Sequence, residues 1–376
     1  MPYAAGRVFH DADSHVMEPA DWLVPFADDA WKDRLLRKDP PSTRPPEPVR
    51  EKVIEGLIAG PKGRLAYGAH DPAERVHALN ELGFASQLVF PTSALRPFRT
   101  SKDRDVLYAG ARAANRAMAA FCGDPRLLGV AYVPLDDPGR ALEEAQEAIR
   151  LGCRAIWVPS TPAGDKSPGH PDLDSFWALL AAKNIPFVLH IGAGSRTLPQ
   201  EYVDNGKPKS PDLHGGGENL RFKDYVALPH SAEMFLSALI YDGLLDRQPE
   251  LRGGIIEYGA YWVPGFLRQM DMGARSFGRT DPYLQKLSAK PSEIIRRQVK
   301  FTPFPGEDAG YLIRDSGADL YMFSSDYPHP EGTNDPIARF ERTFEGLTDD
   351  DKDRFYRANF EEMMGGALAA RPREDA

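Results

Sequence analysis

The sequence predicts an α/β protein and, within that class, a (β/α)8 TIM barrel with two Pro-rich insertions on its C-terminal face. Three observations carry this expectation. Eight short β-rich runs alternate with helix-like segments along the 376 residues. The runs are bounded by Gly, Pro or Asp, as buried parallel strands are. No glycine-rich phosphate loop follows the first run, where Asp13-Ser14-His15-Val16 stands, so a doubly wound open sheet is the weaker alternative.

In chain order the runs are Val8 to Asp13, Ser86 to Phe90, Gly129 to Leu135, Arg154 to Pro159, Pro186 to His190, Gly254 to Glu257, Val299 to Thr302 and Leu320 to Ser324. Helices are expected between them. Asp71-Pro72 precedes Val76, Leu79 and Leu82; Asp137-Pro138 precedes Ala141, Ala145 and Ile149; Asp174 precedes Trp177 and Leu180. In each an acidic cap stands before periodic apolar positions, and two carry Pro in the first turn, where the missing N–H has no intrahelical partner to lose. Arg104 to Phe121 is Ala-rich, and Ser231 to Leu245 is apolar enough to lie against a sheet. The alternation breaks at about 37–70, with Pro40, Pro41, Pro45, Pro46 and Pro48, and at about 193–229, with Pro199, Pro208, Pro211 and Gly215 to Gly217. Loops of this length serve as lids or binding loops, and both would leave the barrel at strand C-termini. Residues 1–376 are accordingly expected to form a single barrel domain.

Composition narrows the function. With 46 Lys+Arg against 55 Asp+Glu the formal charge is −9, which argues against nucleic acid or an anionic membrane as the main partner. A small-molecule substrate is the expected partner. At 42% hydrophobic and 27% charged the chain lies in the globular range. Cys122 and Cys153, the two cysteines, have no metal-like spacing and read as buried small residues. Met1 to Val8 lacks a secretory pattern and no window is apolar enough for a membrane span, so a cytoplasmic location is expected.

The polar residues that end strands carry the chemistry. By strand alternation Asp11, Asp13 and His15 share one face, so Asp13 and His15 can approach one ion; the alternative is a turn-and-cap pair. His190 ends the fifth run and could instead be a satisfied core histidine. Asp326 ends the eighth and could instead cap the next turn. In a barrel, strands one and eight are neighbours and strand five reaches the same mouth, so Asp13, His15, His190 and Asp326 should converge. That mixed N/O set suits one divalent ion, Zn or Mn, with a position left open for water or substrate.

Four motifs then point to a family. They are Asp11-Ala12-Asp13-Ser14-His15-Val16-Met17-Glu18-Pro19, Leu189-His190, Ile256 to Pro264, and Ser325-Asp326-Tyr327-Pro328-His329-Pro330-Glu331-Gly332. Together they resemble the amidohydrolase-related family of the amidohydrolase superfamily, which includes aminocarboxymuconate semialdehyde decarboxylase and the dihydroxybenzoate-type decarboxylases. The resemblance runs from the first strand to Gly365, the Pro-rich insertions excepted. It implies a metal-dependent barrel enzyme, commonly a homodimer, that hydrolyses a C–N, C–O or C–C bond or removes carbon dioxide without oxidation. It maps the family's metal ligands to Asp13, His15, His190 and Asp326. The chain departs from the pattern at Asp13, where the family often has His or Glu, and at Glu257, where related decarboxylases carry a histidine.

The expected activity is hydrolysis of a small cyclic or aromatic compound by a metal-activated water, with Asp326 and Glu257 as catalytic acid/base candidates. Were Glu257 to lie beside Asp326 in a dry mouth, one of the two carboxyls would have a raised pKa; the alternative for Glu257 is a structural carboxylate. Arg196 is a candidate for binding a substrate carboxylate, and Trp157 for stacking on an aromatic ring. Two other readings stay open: a non-oxidative decarboxylase of an aromatic or unsaturated acid, and an inactive barrel that binds a small ligand. His329 reads as a partner of the strand-eight loop, His230 as the opening of a barrel helix or a residue facing the pocket, and His10 as packed against a helix.

Overall fold

A computed structural model of the chain describes residues 2–36, 62–194, 198–207, 222–329 and 332–368. Seven parallel strands form one curled sheet in sequence order: β1 (His10–Val16), β2 (Ser86–Pro91), β3 (Leu127–Tyr132), β4 (Ala155–Trp157), β5 (Phe187–His190), β6 (Gly253–Ile256) and β7 (Val299–Phe301). The eighth expected strand closes the ring with only a few bonds. Phe301 N donates to Leu320 O and Met322 N to Phe301 O on one side, while Ala12 N donates to Phe323 O and His15 N to Tyr327 O on the other. The segment 320–327 therefore bridges β7 and β1 without a continuous ladder, and the architecture is the expected barrel.

The helices surround this sheet. Those that matter below are α1 (Pro72–Leu82), α2 (Arg104–Phe121), α3 (Pro138–Arg150), α4 (Asp174–Lys183), α5 (His230–Tyr241) and α6 (Val263–Phe277). Asp71 caps α1 by accepting from Ala73 N and Glu74 N, and Asp137 caps α3 by accepting from Gly139 N and Arg140 N, as their position before Pro requires. Asp174 is instead the first residue of α4, because a 3-10 turn (Pro171–Leu173) delivers the chain into the helix. The strands are buried on both faces, so the main core lies between their outward side chains and the apolar stripes of the helices. Cys153 is buried and Cys122 half-buried, both unbridged.

One local feature decides where the polar ends point. Opposite β2, Asp11 pairs with Gln87 but Ser14 with Val89, so β1 holds one residue more than its partner between those pairs. This bulge resets the alternation. Asp11 does not share a face with His15 as simple alternation would have it. Asp11, Ser14 and Gln87 turn outward towards α1, and Asp13 and His15 turn into the mouth.

Of the two insertions, residues 37–61, 195–197 and 208–221 lie outside the described residues, and Arg196 with them. The described parts are a 3-10 helix (Gly63–Ala69) and short helices over Gln200–Val203 and Phe222–Ala227. No helix among the described residues is long and apolar enough to cross a membrane.

Candidate metal centre

The C-terminal ends of β1, β5 and β6 bring Asp13, His15, His190 and Glu257 together, with one donor atom from each lying within 4.8 Å of every other. All four are buried. Asp13 Oδ1 is 3.2 Å from His15 Nε2 and 3.3 Å from His190 Nε2, and Glu257 Oε2 is 3.0 Å from His190 Nε2. Asp326 stands at the edge of this group, with Oδ1 3.4 Å from His15 Nε2 and 2.9 Å from His329 Nδ1. The expected set thus converges with two differences: Glu257 joins Asp13, His15 and His190, and Asp326 shares His15 with a second group containing His329.

The chemistry of the donors fits a divalent ion. His190 Nδ1 is 2.8 Å from the carbonyl oxygen of Ile191, which can only accept, so Nδ1 carries a proton. In the neutral imidazole Nε2 is then a lone pair facing two carboxylate oxygens, an arrangement that asks for a cation between them. His15 is fully buried, and among the described residues its ring nitrogens have close carboxylate neighbours but no hydrogen bond of good geometry. Ligands held about 2.1 Å from an ion sit about 3.0–3.4 Å from one another, the spacing of the Asp13–His15, Asp13–His190 and His190–Glu257 contacts.

The backbone is bent to deliver two of these carboxylates. Glu257 has φ +62° and Asp326 φ +49°, left-handed values that cost non-glycine residues about 1–3 kcal/mol each. The surrounding contacts hold them there. Glu257 N donates to Thr302 Oγ1, and Glu307 accepts from Ala260 N, Tyr261 N and Phe304 N to fix the turn that follows. Ser325, just before Asp326, donates its N–H and its hydroxyl to Asp11.

Burial alone would raise the Asp13 pKa, but His190 and His15 beside it hold the carboxyl well below the usual range. Burial, with His329 alongside, pushes the His15 imidazole down to about 4. The unfolded chain, titrating near 6.5, then binds the extra proton first as pH falls. The contribution of His15 to stability is therefore complete above 6.5 and lost progressively towards pH 4. In metal-free protein the His15 ring signals should titrate near pH 4 by NMR, and a midpoint near 6.5 would contradict this environment.

Around the cluster lies an aromatic wall. Trp157, at the end of β4, is buried and makes edge-type ring contacts with Phe90, Tyr132 and His190. His329 partners the strand-eight end as expected, through Nδ1 to Asp326; its ring also packs 4.2 Å from that of His15, and its Nε2 reaches Thr92 Oγ1. His10 stacks on Phe360 at 4.9 Å, and the exposed His230 opens α5. Sequence reading missed Lys62, whose Nζ is directed at Ser325 O beside Asp326. Burial pushes its pKa down to about 8 against the pull of Asp326 and Asp11. No strand signal marks it, because it lies within the first Pro-rich insertion.

Comparisons with known proteins follow the same outline. Residues 11–365 match the model of the amidohydrolase family. No curated protein sequence matches the chain. Among solved structures it is similar to an amidohydrolase from Mycobacterium avium subsp. paratuberculosis K-10, with TM-score 0.75 and 22% identity over 96% of this chain and 100% of that one. It is also similar to 5-carboxyvanillate decarboxylase from Sphingomonas paucimobilis, with TM-score 0.63 and 21% identity over 95% and 98%. A third is dihydroxybenzoic acid decarboxylase from Polaromonas sp. JS666 with bound manganese and the inhibitor 2-nitroresorcinol, with TM-score 0.61 and 17% identity over 96% and 97%.

Proposed function

The chain belongs to the amidohydrolase family, and from that premise we propose that it is a metal-dependent enzyme that removes carbon dioxide, without oxidation, from a small aromatic or unsaturated carboxylic acid. The observation that carries this reading is Lys62, a half-buried ammonium beside a site whose acidic members are Asp13, Glu257 and Asp326. Three carboxylates repel an anionic substrate unless a cation stands nearby, and a neutral ester or amide has no use for one. The decarboxylases of similar fold act on aromatic acids, which agrees with that charge requirement.

Asp13, His15, His190 and either Glu257 or Asp326 would hold one divalent ion, manganese or zinc. When bound, the ion supplies a Lewis acid for substrate oxygens. Lys62 would pair with the substrate carboxylate and orient it, while the wall of Phe90 and Trp157 excludes water. As the C–C bond to the carboxylate breaks, its electron pair stays on the substrate carbon, which takes a proton. Asp326, hydrogen-bonded to His329, is placed to hold that proton and hand it over.

Hydrolysis is the second reading, favoured by Glu257 where related decarboxylases carry histidine: a carboxylate in that position can take a proton from an attacking water. Manganese-loaded protein incubated with 2,6-dihydroxybenzoate and 5-carboxyvanillate should release carbon dioxide in step with loss of the acid. Turnover of lactones or amides with no carbon dioxide from any aromatic acid would transfer the assignment to hydrolysis. Lys62→Met should raise KM for the acid about 10–100-fold, as loss of a charge-assisted hydrogen bond of about 1.5–3 kcal/mol implies, with kcat changed far less. An unchanged KM would remove Lys62 from the site.

A further inference from the structure

Arg75 lies on α1, outside the barrel, and is completely buried. Its guanidinium spends its donors on Gln87 Oε1 (3.1 Å), His15 O (2.8 Å), Gly68 O (3.3 Å) and Ser14 Oγ (2.7 Å), and it sits 4.5 Å over the Tyr327 ring. A buried arginine is ordinarily matched by a carboxylate in contact with it. Here the carboxylate is one residue removed. Gln87 accepts from Arg75 through Oε1 and donates through Nε2 to Asp11 Oδ2 at 2.8 Å. The amide can take no other orientation without setting N–H against N–H.

Asp11 accepts from four groups, namely Gln87 Nε2, Ser325 N, Ser325 Oγ and Asp13 N, as an ionised carboxylate does. The result is an ion pair split across an amide, Arg75–Gln87–Asp11, that touches β1 at both ends of its bulge. It also reaches the residues on either side of Asp326. Ser325 is held by Asp11 and Tyr327 lies under the guanidinium. Gly68 makes room for the assembly, since a Cβ there would come within 2.8 Å of the Arg75 backbone and 2.7 Å of the Tyr327 hydroxyl.

We propose that Arg75 is a positioning residue for the metal centre, acting through the Gln87–Asp11 relay and through Ser14 and the His15 carbonyl to set Asp13, His15 and Asp326 at one mutual distance. The guanidinium never meets substrate or ion. It fixes the bulge that turns Asp13 and His15 inward, and from the same point it clamps the strand-eight end that carries Asp326. The inference rests on the metal-centre reading above for its consequence, while the relay stands on the contacts alone.

The test titrates Mn2+ alone into metal-free protein, following free Mn2+ by EPR, in wild type, Arg75→Lys, Arg75→Met and Gln87→Met. Weakening of Mn2+ affinity by about 10–100-fold in Arg75→Met and Gln87→Met is expected, as for residues that orient metal ligands, with an altered Mn2+ spectrum and partial recovery in Arg75→Lys. A residue that only stabilises the fold would lower the urea midpoint and leave the affinity of the folded protein unchanged, and that result would overturn the proposal. Gln87→Met keeps the Ser14 and His15 contacts of Arg75, so it reads the relay even if Arg75→Met does not fold. If wild type binds no Mn2+, the metal reading of the preceding section falls. The relay is then decided in metal-free protein by Arg75→Lys, Asp11→Asn and their combination. A shared relay makes the double variant no less stable to urea than the worse single one; additive losses would refute it.

Discussion

Replacing His190 by Ala should abolish both metal retention and turnover. The imidazole is in contact with both Asp13 and Glu257, at 3.3 and 3.0 Å, and its Nδ1 contact with the Ile191 carbonyl fixes which nitrogen faces them. Residues that merely orient ligands cost about 10–100-fold in affinity or activity when changed. Loss of a ligand itself should exceed that, leaving metal below detection in protein purified without chelator and activity at background, with the circular dichroism of a folded barrel. Elemental analysis showing an unchanged metal content would exclude His190 from the centre and with it the catalytic reading.

The second large effect is expected at a residue with no side chain. A Cβ built on Gly332 falls 1.9 Å from the Ser325 carbonyl oxygen and 2.9 Å from the Asp326 Cβ. Neither neighbour is a flexible tip that can swing away. Gly332→Ala must therefore move the backbone that presents Asp326, and displacements of about 1 Å in a catalytic group cost on the order of 10²-fold in rate. Stability should fall as well, by the roughly 1–3 kcal/mol typical of overpacking. The measurement is kcat/KM with metal content and urea midpoint on the same preparation. A variant as active as wild type would show that the strand-eight loop yields without consequence.

Much of this was legible in the sequence because it is written locally. Arg104–Phe121 is found with both expected ends, Asp71 and Asp137 cap the helices they precede, and Ser86 opens β2. His190 is found at the end of an apolar run. What escaped is non-local. The bulge in β1 exists only as a register against β2, so alternation within β1 alone put Asp11 on the wrong face. Glu257 reaches His190 because its backbone takes a left-handed turn held by Thr302, 45 residues further on, which no pattern around Glu257 announces. Trp157 has its ring packed by neighbours from other strands, so its stacking on a substrate could not be judged from β4 alone. Arg75 did leave a signal. It falls on the helical stripe of Leu79 and Leu82, where a charged residue has no place unless a buried partner awaits it.

The thin seam at strand eight also has a consequence for how the molecule is made. Asp11 and Ser325 meet although they stand 314 positions apart in the chain. Translation at about 5–20 residues per second separates their emergence by on the order of tens of seconds. Throughout that interval β1 waits with one margin of its backbone unsatisfied, a template for pairing with any extended stranger. Each nascent chain must be shielded until its last stave arrives, so crowding on the polysome is the hazard this topology carries.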